Sequence, residues 1–198
     1  MKHYIRLLLE KILLIFNQRL IDNQTYVKIK KLGKLHKLNF FSDKSLIEII
    51  NKKSPIIFDV GLSIGNRSLI FKKMFQSSQI HAFEPNHNSI EIAREKLKPY
   101  NNITFNNLGI GSKNEKNIFL NRKANSKSGF YHTDNIHNKN KEELFEIVNK
   151  YECQIVTIDD YCNNNSIDFI DLVKIDTEGA SLDVLKGMSN MIQNNLIN

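Results

Sequence analysis

The 198-residue chain is sized for one domain or two small ones. Its 41% hydrophobic and 25% charged residues allow a real buried core, which excludes collagen-like, mucin-like and fully disordered readings. The formal charge of +7 is unevenly spread: residues 1–53 hold 12 Lys/Arg against 4 Asp/Glu, a balance of +8, and the remainder balances at −1. A skew toward Asn, Lys and Ile is what AT-rich codon usage produces, and the excess Lys has two readings, that skew with no ligand behind it or a functional basic face. Tyr26, Phe40 and Phe41 lie near the Lys cluster, but no nucleic-acid module is recognisable, and no nucleic-acid partner is expected. Two cysteines, Cys153 and Cys162, are too few for a disulfide framework and suit a reduced, cytoplasmic setting.

In chain order, residues 3–21 predict an amphipathic helix with Ile5, Leu8, Leu9, Ile12, Ile15, Phe16 and Leu20 at helical spacing. Glu10 and Lys11 interrupt its apolar run, which argues against a signal peptide or a membrane span. Packing on the domain or on a second copy is one use for that face, and peripheral contact with a membrane surface is the other. Residues 25–41 predict a hairpin turning at Gly33, and Ser42 or Asp43 caps a helix through about Lys52.

From Ser54 the pattern changes, so 1–53 reads as a basic N-terminal segment and 54–198 as the main domain. PIIFDVG is a buried strand, Ser68–Phe75 a helix, QIHAFEP a strand, Ser89–Leu97 a helix and NITFNNLGIG a third strand. Residues 111–153 break the rhythm with a polar stretch and a short helix near Glu142–Lys150. QIVTIDDYC then predicts a strand or edge hairpin, DFIDLVKIDTEG a fourth buried strand, and Ser181–Met188 a helix. Strands alternating with helices predict right-handed crossovers and a mostly parallel sheet.

Three motifs fall at the strand ends. DVGLSIGNRS (59–68) carries Asp59, Gly61, Ser63 and Gly65 in a strand-to-helix turn, and the glycines let backbone approach a ligand closely. Glu84 closes the next strand 25 residues after Asp59, where an acidic side chain accepts hydrogen bonds from ribose hydroxyls. KIDTEG (174–179) sets Asp176 and Glu178 two apart at the same edge, so that both carboxylates can face one site. Together they predict a nucleoside-bearing ligand. Each also has a structural use: a tight turn, a solvated helix start and a helix cap.

DVGLSIG, AFEPN, NLGIGS, TIDDY and IDLVKIDTEGASLDVLKG follow the order and spacing of the FkbM family of S-adenosylmethionine-dependent methyltransferases, which the chain resembles over roughly residues 54–190. The resemblance implies a Rossmann-like class I methyltransferase α/β fold and O-methylation of a hydroxyl on a sugar, glycolipid or secondary metabolite. It implies that Asp59, Gly61, Ser63 and Gly65 cradle the methionine part of S-adenosyl-L-methionine. By the same carry-over Glu84 holds the ribose, Asn107 and Leu108 flank the adenine, and Asp176 sits beside the sulfonium and acceptor. Asp176 or Glu178 is the expected proton acceptor. Two departures stand out: Ser63 replaces the usual Asn, and the chain stops 22 residues past Asp176, where the class I sheet has three more strands. A sheet lacking them exposes an edge. That implies a truncated or reduced variant, or one completed by a partner chain or second copy.

Other readings are weaker. Gly61–Gly65 also fits the G-x-S-x-G nucleophile elbow, but no histidine follows the fourth strand to complete a triad. His132, Asp134 and His137 show no recognised metal spacing. A catalytically inactive cofactor-binding or protein-interaction module built on a methyltransferase fold is the alternative from a different class.

Overall fold

A computed structural model describes residues 43–124, 128–130 and 146–198. The expected helix at 3–21, the hairpin at 25–41 and the His132–His137 group lie outside the described residues. The chain divides into two compact units between Lys53 and Ser54. In the first, α1 spans Asp43–Ile50 and ends at Asn51, which takes a left-handed φ of 41°.

The second unit is an α/β structure. Its elements are β1 (Ile56–Val60), α2 (Asn66–Met74), β2 (Gln79–Phe83), α3 (His87–Leu97), β3 (Ile103–Asn106), β4 (Gly109–Ile110) and β5 (Glu115–Arg122), followed by β6 (Ile147–Val156), α4 (Ile158–Asn164), β7 (Leu172–Ile175), α5 (Ser181–Lys186) and α6 (Ser189–Gln193). Among the described residues one sheet is wholly parallel, in the order β3-β2-β1-β7, and a second runs β4-β6-β5. Ile57, Phe58, Asp59 and Val60 of β1 are all buried, as a central strand covered on both faces requires. Phe58, Val60, Phe83 and Val173 join Ile158, Tyr161, Val184 and Met188 in the core on one face. Asp59 points the other way, toward Ser68 of α2.

The expected third strand is two strands in two sheets. The side-chain amide of Asn107 donates to the carbonyls of Glu84 and Pro85, both at 2.9 Å, and marks where the chain leaves the parallel sheet. Of the expected helix near 142–150, residues 142–145 lie outside the described residues, and residues 147–150 instead open the ten-residue β6, which pairs antiparallel with β5 from Arg122↔Ile147 to Glu115↔Ile155. Cross-strand pairing has outweighed local helical periodicity there. QIVTIDDYC is a strand end followed by a helix, because Thr157 Oγ1 accepts from the Asp160 N–H at 3.0 Å and caps α4. The last predicted helix stops at Lys186, and α6 starts anew with its Asn190 and Met191 N–H groups bound by the Asp159 carboxylate.

No helix among the described residues is long and apolar enough to cross a membrane. Among the same residues, no cluster of three His, Cys, Asp or Glu side chains is arranged to hold a metal ion.

Candidate active site

Register assembles the site. Val60 pairs with Phe83 and with Ile175, and Phe83 pairs with Asn106, so the four parallel strands end in one row. The residues immediately beyond are Gly61, Glu84, Asn107 and Asp176. Ligands of open α/β sheets bind at this carboxyl edge.

Gly61 has φ 80°, and a Cβ placed on it would lie 2.0 Å from the Asp176 carbonyl oxygen. Only glycine lets the bend after β1 pass so close to the end of β7. The Gly61 and Leu62 N–H groups both donate to the Phe83 carbonyl at 3.0 Å, which pins the bend to β2. Glu84 completes that attachment. Its Oε2 accepts from the Ser63 N–H at 2.7 Å and its Oε1 from the Asn86 N–H at 2.9 Å. Each oxygen retains a further acceptor site. Burial pushes the Glu84 carboxyl above its usual range, against the lowering effects of the two N–H bonds and the Lys174 ammonium.

These groups border a cavity of about 150 Å³ that is open to solvent. Gly61, Ser63 and Glu84 line one side, and Asp176, Thr177 and Glu178 another. Leu108, Ile110, Phe119 and Phe130 supply apolar surface. Ser63 and Glu178 hold left-handed backbone at φ 50° and 43°, although neither is glycine. Such conformations cost on the order of 1–3 kcal/mol each and concentrate at functional sites.

Of the nine residues singled out from the sequence, Gly61, Ser63, Glu84, Leu108, Asp176 and Glu178 line this cavity, and Asp59, Gly65 and Asn107 do not. Asp59 is fully buried, with Oδ2 accepting from Ser68 Oγ at 2.7 Å and Oδ1 lying 3.1 Å from Lys174 Nζ. Gly65 serves packing: a Cβ there would meet the Ala93 side chain at 3.0 Å and Leu97 at 3.1 Å, so it lets α2 start tightly against α3. Asn107 fastens the backbone behind Glu84.

Three features were not read from the sequence. Lys174 is the lone charge in the strand LVKI and stands in register opposite Asp59, a pairing that the strand alignment alone would have exposed. Tyr151 of β6 donates its hydroxyl to the Pro85 carbonyl at 3.1 Å, next to the Glu84 backbone. Phe130, an aromatic residue within a polar stretch, stacks edge-on against Phe119 at 5.3 Å, and Gly129 pairs with Leu120 by two backbone hydrogen bonds. Their distance from the glycine motif along the chain gave no local signal.

A parallel sheet whose carboxyl edge joins a glycine bend to an acidic strand end defines a Rossmann-like fold of the methyltransferase type. The chain belongs to the FkbM methyltransferase family: the model of the methyltransferase FkbM domain matches residues 59–198. The 2-O-methyltransferase NoeI of Sinorhizobium fredii (strain NBRC 101917 / NGR234) is 22% identical over 149 residues, which are 73% of this chain and 61% of that protein. The chain therefore spans under two thirds of that relative's length. Two solved structures overlap parts of the fold. A candidate rRNA-methylase from Clostridium thermocellum matches at a TM-score of 0.30 and 18% identity, over 36% of this chain and 45% of its own. PKMT2 from Rickettsia typhi matches at 0.27 and 21%, over 39% and 14%.

Proposed function

We propose that this chain is an S-adenosylmethionine-dependent methyltransferase that methylates a hydroxyl group on a sugar, glycolipid or secondary metabolite. The observation that carries the reading is the Glu84 carboxylate, bound to the Ser63 N–H of the glycine bend at 2.7 Å with acceptor capacity to spare. An acceptor of this kind suits a ribose diol, and the apolar wall of Leu108, Ile110, Phe119 and Phe130 suits an adenine ring. Ligand pockets commonly measure about 300–1,000 Å³, so a cavity of about 150 Å³ would enclose only part of the cofactor.

S-adenosylmethionine, when bound, supplies an electrophilic methyl group on a sulfonium. Asp176 and Glu178 line the same cavity, and both residues are exposed. One of them takes the proton that the acceptor oxygen loses. Holding that oxygen in line supplies much of the acceleration. The 2-O-methyltransferase NoeI is named for transfer to an oxygen, which supports the choice of a hydroxyl acceptor.

Calorimetry with S-adenosylmethionine on the 198-residue chain tests the reading. Micromolar binding by the wild type, weakened about tenfold or more in Glu84→Ala, is the expected result. Absence of binding by the folded wild type overturns it. With an acceptor in hand, Asp176→Asn or Glu178→Gln lowers kcat and leaves cofactor affinity nearly unchanged. Full turnover in both variants removes the base assignment, and binding without turnover selects an inactive cofactor-binding module.

A further inference from the structure

Lys174 is not among the residues that line the cavity. Its Nζ donates to the Gly61 carbonyl at 2.6 Å, lies 3.1 Å from Asp59 Oδ1 and 3.9 Å from Asp176 Oδ2, and its side chain is 13% exposed. One ammonium thus reaches the glycine bend after β1, a fully buried carboxylate within β1, and an exposed carboxylate just beyond its own strand. A buried pair with Asp59 alone would need none of the other two contacts. The Gly61 carbonyl belongs to the peptide unit that leads into Leu62 and Ser63, so the tether acts where the bend meets Glu84.

We propose that Lys174 is a positioning residue that clamps the Gly61–Ser63 bend to the end of β7 and thereby sets it against the Glu84 and Asp176 carboxylates. The proposal rests on the cofactor reading for its effect on binding, though the clamp itself exists in the ligand-free protein. Lys174 also belongs to the charge set around Glu84. Asp59 on β1 raises the Glu84 carboxyl, Lys174 on β7 lowers it, and Tyr151 and Cys153 on β6 feel its charge. Removing the ammonium leaves burial less opposed.

Two variants test the clamp. Lys174→Met strands the Asp59 charge in the interior and can lose the fold for that reason alone. The double variant Asp59→Asn/Lys174→Met removes the pair as a unit, and an asparagine at 59 can still accept from Ser68. If Lys174 clamps the bend, the double variant regains cooperative unfolding, yet its Leu62 and Ser63 amides exchange with solvent about tenfold faster or more than in the wild type. S-adenosylmethionine affinity, by calorimetry, falls about tenfold, the scale of one charge-assisted hydrogen bond. In Lys174→Met, where it folds, the pH below which cofactor binding fails moves upward. If the double variant exchanges these amides and binds cofactor as the wild type does, Lys174 only neutralises Asp59 and the proposal fails. Failure of the wild type to bind cofactor overturns the proposed function alone, because amide exchange in the ligand-free protein still decides the clamp.

Discussion

The two sheets meet at one cavity and contribute different things to it. The parallel sheet delivers polar groups: its strands end in a common row, so Gly61, Glu84 and Asp176 are brought together by register, whatever their separation along the chain. The β4-β6-β5 sheet delivers an apolar wall, with Phe119 of β5 and the paired segment 128–130 closing the side near Leu108 and Ile110. In the first, function depends on where backbone ends. In the second, it depends on which side chains point inward. The consequence is that backbone changes should damage the parallel rim, and truncations should damage the wall.

Gly61→Ala is the sharpest way to break the rim. A left-handed L-residue costs about 1–2 kcal/mol, and the new Cβ, 2.0 Å from the Asp176 carbonyl oxygen, must displace it. A total near 3 kcal/mol, at the upper end of ordinary single substitutions, is expected. The melting temperature should drop by roughly 10 °C and S-adenosylmethionine binding should be lost. A variant that melts like the wild type would show that the bend and β7 are not held together as described.

Legibility in the sequence follows the same division. The strand ends could be read because buried parallel strands are short apolar runs closed by Gly, Pro or acid, as in IIFDVG, HAFEP and LVKIDTEG. The row they form follows from parallel pairing. Asp59 and Gly65 lie off the cavity lining, Asp59 because a motif does not reveal which face of the strand a residue takes and Gly65 because it starts α2. Asp59 alternates with Phe58 and Val60, and thus turns toward α2 and Ser68. The wall was opaque for a different reason. Residues 147–150 carry Val148, Asn149 and Lys150 in a pattern that a helix tolerates, and only the partner β5 makes them a strand.

Phe130→Ala probes the wall and should leave the rim standing. Phe130 packs edge-on against Phe119 and lies where a side chain at Gly109 would collide with it, at 2.7 Å. Its ring is only partly buried, so truncation should cost about 1–2 kcal/mol, below the range for fully buried phenylalanines. Cofactor affinity should fall by less than tenfold, against abolition in Gly61→Ala. Unchanged affinity in Phe130→Ala would remove the wall from ligand recognition and leave the parallel rim as the whole site.

The smallest effect lies beneath the rim, where His81 of β2 shares a hydrogen bond of 2.9 Å with the Tyr161 hydroxyl, which donates to Asn106 Oδ1 at 3.3 Å. With that hydroxyl proton committed to Asn106, His81 Nδ1 is assigned as the donor. The ring packs on Phe58 at 5.1 Å, and burial lowers the imidazole below its ordinary value of 6.5. The folded state therefore binds fewer protons there than the unfolded chain does. Its stabilising contribution is complete above about pH 6.5 and is lost as pH falls through the lowered value. Denaturant midpoints measured from about pH 7.5 down to about pH 5.5 should fall more steeply for the wild type than for His81→Gln, which has no ring to protonate. The rim carboxylates stand in both proteins, so their titration cancels from the difference. Parallel curves would mean that His81 is open enough to water to accept its proton freely, and that the core under Glu84 is looser than the aromatic packing of Phe58, Phe83 and Tyr161 indicates.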